Sequence, residues 1–203
     1  MKEDAISMQW VIKSYINLEV SIERIYTTLA QYIKSQMLTI KIEKSVFSGI
    51  SNLIETTQKL KTQFNDVFKP TEFKDAQAVL IANIKEAWND DQFNITVNFN
   101  EYIDHLIQNK FKGMNKQEKY AIIGIFYEYV IDKQSFKVNY TSRFVRRLIK
   151  LTKDLPELEF PVIASIRKKN SDFLSDYDDF IRQMNHSLKT IDQFREAQNN
   201  NEI

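Results

Sequence analysis

The chain has 203 residues, 43% of them apolar, and its 28 basic and 27 acidic side chains leave a formal net charge of +1. That length and composition support a substantial core and argue against wholesale disorder, while the charge balance supplies no whole-protein field for a polyanion or a membrane. With no cysteine and only two histidines, disulfides, thiolate chemistry and a His-rich metal centre are excluded.

Three glycines and three prolines are too little punctuation for an all-β or alternating βαβ chain, so long helices are expected. The first runs from about Asp4 to Lys34, with apolar residues stepping by four and three through Val11, Tyr15, Leu18, Ile22, Ile25, Leu29 and Tyr32. A second stripe, Tyr26, Ile33, Met37 and Ile40, widens its apolar face, and a turn falls within Leu38–Ile42. The second helix spans about Glu43 to Phe68 and stops before Pro70. Its seam is Val46, Ile50, Leu53, Thr57, Leu60, Phe64 and Val67, and Gly49 inside it points to close helix–helix approach.

Shorter units follow. Phe73, Ala76, Leu80, Ile84 and Trp88 define an amphipathic helix closed by Asn89-Asp90-Asp91. Asn98 with Glu101, and Asn115 with Glu118, have the spacing of capping boxes that open two further helices, the second reaching about Lys133 and apolar nearly all round. Ile95, Val97, Phe99 and Phe136, Val138, Tyr140 alternate and offer a short β-ribbon. A helix over Thr141–Leu155 follows, then a linker bracketed by Pro156 and Pro161, then a last long helix from Val162 to Ala197. Its seam is Ile166, Asn170, Phe173, Tyr177, Phe180, Met184, Ser187, Ile191 and Phe194.

The expected fold is therefore all-α: a long antiparallel bundle of three heptad-like helices with an inserted smaller helical module. In domain terms, residues 1–70 form a hairpin, 71–160 a compact module, and 161–203 a helix packing back on the hairpin. The seams can pair within one chain or between copies.

The sharpest local feature is the set Arg143, Arg146, Arg147, Lys150 and Lys153, which falls on one side of a single helix. Such a face can bind phosphate backbones, or it can pair with the acidic stretch Asp172, Asp176, Asp178 and Asp179. Asp172, Asp176 and Asp179 share a helical face, yet no further ligand pattern completes a cation site. Arg182-Gln-Met-Asn-His186 is similar to the Arg-x4–6-His signature of HEPN ribonucleases, with one residue fewer between Arg and His; that resemblance implies RNA cleavage by the two side chains across a dimer.

No glycine-rich phosphate loop, serine-hydrolase turn or cofactor motif is present, so no catalytic residue, metal or cofactor is expected. The longest apolar stretch, Ala121–Ile131, is broken by Glu128 and too short for a bilayer, and no apolar segment follows Met1-Lys-Glu-Asp4, so a cytoplasmic protein is expected. These features favour a non-enzymatic interaction or assembly protein working through a protein partner or self-association. The alternatives are a nucleic-acid-binding module and a helical ribonuclease.

Overall fold

A computed structural model describes residues 22–42, 45–67, 75–112, 115–150, 155–175 and 178–201. The helices are α1 (Ile22–Leu38), α2 (Val46–Val67), α3 (Ala76–Trp88), α4 (Ile95–Gln108), α5 (Lys116–Tyr127), α6 (Lys133–Lys150), α7 (Leu155–Arg167) and α8 (Asp178–Asn201), with one 3₁₀ turn at Asp91–Phe93. No strand occurs among the described residues, so the fold is all-α as expected. The chain divides into two compact units, Met1–Tyr102 with Tyr129–Asp132, and Ile103–Glu128 with Lys133–Ile203.

In the first unit α1 packs most extensively against α3 and also touches α2. The α1 side chains in the core are Ile25, Leu29, Ile33 and Met37, a row stepping by four that draws on both expected stripes. From α2, Ile50, Leu53, Thr57, Leu60 and Phe64 are buried, as its seam requires, and α3 contributes Ala76, Leu80, Ile84, Ala87 and Trp88. Thr57 belongs in this apolar set because its hydroxyl is used twice. It donates to the Leu53 carbonyl at 2.7 Å and accepts from the Trp88 indole N–H at 2.9 Å. Gly49 allows a close approach, though to the preceding connection rather than to another helix: a Cβ there would lie 2.9 Å from Ile42 Cα.

The β-ribbon does not form. Ile95, Val97 and Phe99 lie in α4, while Phe136, Val138 and Tyr140 lie in α6. The two patterns coincide over five residues, since positions four apart share a face in a helix and in a strand. The middle residue separates them: Ile95 and Phe99 are buried with Val97 only partly so, and Phe136 and Tyr140 are buried with Val138 exposed.

Helix α4 starts at Ile95, just after Asn94 in the left-handed region (φ 39°), so Asn98 is an interior residue whose amide donates to the Phe93 carbonyl at 2.7 Å. Asn115 does cap α5, its side chain accepting from the Glu118 N–H. That helix ends at Tyr127 rather than near Lys133, and it exposes Ile125. The following backbone is held instead by Asn89, whose side chain donates to the Tyr129 carbonyl at 2.7 Å and accepts from the Ile131 N–H at 2.9 Å. Helix α6 therefore begins eight residues earlier than the Thr141 start read from the sequence.

Two corrections concern the last third. The Pro156–Pro161 linker is helical, because α7 starts at Leu155 and carries Pro161 inside it. A proline there costs about 3 kcal/mol in isolation, a penalty set against the burial of Leu158, Val162, Ile163 and Ile166. The long terminal helix is two helices, parted by the turn at 168–175. Arg167 holds that turn: its Nε donates to the Phe173 carbonyl and its Nη2 to the Leu174 carbonyl, both at 2.8 Å. Phe173 and Leu174 are buried there, Leu174 with φ at 55°. Asp172, Asp176 and Asp179 consequently do not share one helix, since Asp172 lies in the turn, Asp179 in α8, and Asp176 outside the described residues.

Candidate functional site

Helix α6 presents Phe136, Tyr140, Phe144 and Arg147 to the interior of the second unit, all of them buried. The spacing of four, four and three places them along one helical face. Arg147 is 1% exposed, and opposite it on α7 stands Glu159, 0% exposed. Arg147 Nε donates to Glu159 Oε2 at 2.8 Å and Nη2 donates to Oε1 at 2.7 Å, a bidentate pair. The third guanidinium nitrogen, Nη1, donates to Asp104 Oδ1 of α4 at 2.6 Å. Arg143 lies 3.6 Å from the other Asp104 oxygen.

Tyr140 completes the cluster by donating its hydroxyl hydrogen to Glu159 Oε1. The Arg147 guanidinium also lies 5.3 Å from the Tyr140 ring centre. Two arginines therefore meet two carboxylates, so the cluster is electrically balanced and its guanidinium is bonded on three nitrogens. Burial, followed by the Glu159 charge, pushes the Tyr140 hydroxyl well above the ordinary tyrosine range, with the Arg147 charge acting in the opposite sense. For Arg147 burial works against the charged form, but the charge of Glu159 and its hydrogen bonds, with Tyr140 and Asp104, hold the guanidinium above its usual range. Arg147 is a permanent cation here.

Around the cluster an aromatic layer forms from Tyr127, Phe136, Tyr140 and Phe173, with ring centres 5.2–6.2 Å apart. Asn170 donates to the Tyr127 hydroxyl at 2.9 Å, and Lys133 donates to the Tyr127 carbonyl with its ammonium 3.8 Å from that ring's centre. Behind the layer α5 and α7 press together at Gly124, where a Cβ would lie 2.6 Å from the Ser165 carbonyl oxygen. The Ser165 hydroxyl donates to the Tyr120 carbonyl across the same contact.

The five basic residues read from the sequence as one face are not equivalent. Arg147 is a core residue, which removes it from any exposed basic face: its 3-to-4 spacing from Tyr140 and Phe144 puts it on the buried side of α6. Arg143 is half-buried beside Asp104, and Arg146 is exposed. The Lys150 side chain and all of Lys153 lie outside the described residues. Nor does the acidic C-terminal stretch neutralise Arg147, whose partners Asp104 and Glu159 come from α4 and α7. Of that stretch, Asp178 pairs with Arg167 at 2.7 Å and Asp179 with Arg182 at 3.0 Å.

Arg182 and His186 are both exposed on α8. Among the described residues no group of acidic, histidine or cysteine side chains could hold a metal ion. Also among them, no helix is long and apolar enough to cross a membrane. The members of the cluster that the sequence did not single out are Asp104 and Glu159. Glu159 between Leu158 and Phe160, ahead of Val162, Ile163 and Ile166, is the available signal of a buried carboxylate in need of a cation.

A family model described as the cullin alpha solenoid domain matches residues 3–190. The chain belongs to the cullin family. That match is to a helical domain and is in keeping with the all-helical structure of the described residues. A cullin helical domain suggests a protein-interaction scaffold. No curated protein and no solved structure matches the chain.

Proposed function

We propose that this cullin-family chain is a non-enzymatic scaffold that joins protein partners through outward helix faces. The observation that carries this reading is the match of the cullin alpha solenoid domain over residues 3–190. Helical solenoids present extended surfaces formed by successive repeats, and such surfaces suit the joining of other proteins. The Arg147 cluster supports the same reading in physical terms. It ties α4, α6 and α7 by charged hydrogen bonds within one unit, which favours a rigid support over a reactive centre. A reducing compartment, the cytoplasm, suits a chain without cysteine.

Affinity capture of the intact chain from its native cells, with nuclease treatment and light scattering of the eluate, tests the proposal. The expected result is a protein partner in fixed stoichiometry that survives the nuclease. A chain recovered alone, or one whose partners leave when nucleic acid is digested, overturns it.

A further inference from the structure

We draw no further inference here: the strongest candidate, the exposed Ile191–Phe194 face of α8 in the second unit, is an apolar helix face with nothing in the structure to show what covers it.

Discussion

Replacing Arg147 by Met removes three charged hydrogen bonds at once and leaves Glu159, 0% exposed, with the Tyr140 hydroxyl as its remaining partner among the described residues. The loss falls mainly on Glu159, because Asp104 is 15% exposed at its side chain and still has Arg143 3.6 Å away. Stranding one member of a buried ion pair costs about 3–5 kcal/mol, a large share of the 5–15 kcal/mol typical of a domain. The double change Arg147→Met with Glu159→Leu removes the stranded charge and should be less destabilising than Arg147→Met alone. Such a pair should show a coupling of at least about 2 kcal/mol. Urea unfolding followed by circular dichroism, on the parent, both single variants and the double variant, measures each term. A cost below about 1 kcal/mol for Arg147→Met, the range of solvent-exposed pairs, would refute the buried cluster, and so would simple additivity of the two changes.

Three further outcomes are expected. The raised Tyr140 hydroxyl means that the unfolded chain loses its phenolic proton first, so stability should fall as pH rises above the ordinary tyrosine value of about 10. Tyr140→Phe should cost about 1.5–3 kcal/mol near neutral pH and shrink that alkaline fall, as followed by melts across an alkaline series; an unchanged slope counts against the assignment. Gly124→Ala should destabilise by about 1–3 kcal/mol in thermal melts, and Ser165→Ala should not restore it, because the obstructing atom includes the Ser165 carbonyl oxygen. Thr57→Val strands the buried Trp88 indole N–H and should cost about 1–3 kcal/mol in chemical unfolding, whereas Thr57→Ser, which keeps the acceptor, should cost less.

Much of the architecture was legible in the chain itself. The second helix matched its expected seam because Ile50, Leu53, Leu60 and Phe64 repeat often enough for one face to be unambiguous. Asn115 with Glu118 marked a true helix start, while Asn98 with Glu101 marked none: a short polar residue can bond backward from inside a helix as readily as it caps one. The same ambiguity produced the β-ribbon, since five-residue alternations contain the four-residue step of a helix.

What amino-acid order alone determined here is an all-helical chain without cysteine or phosphate-loop chemistry, because period and composition act over short distances along the backbone. Which charges are surface and which are core was decided only by folding. Arg146 and Arg147 are neighbours in sequence, yet one faces water and the other closes on Glu159 twelve residues away and Asp104 forty-three away. The break after Arg167 was decided the same way, through carbonyls that its guanidinium can reach only once the turn has formed. A side chain's partner depends on contacts distant along the chain, and these have no counterpart in local periodicity.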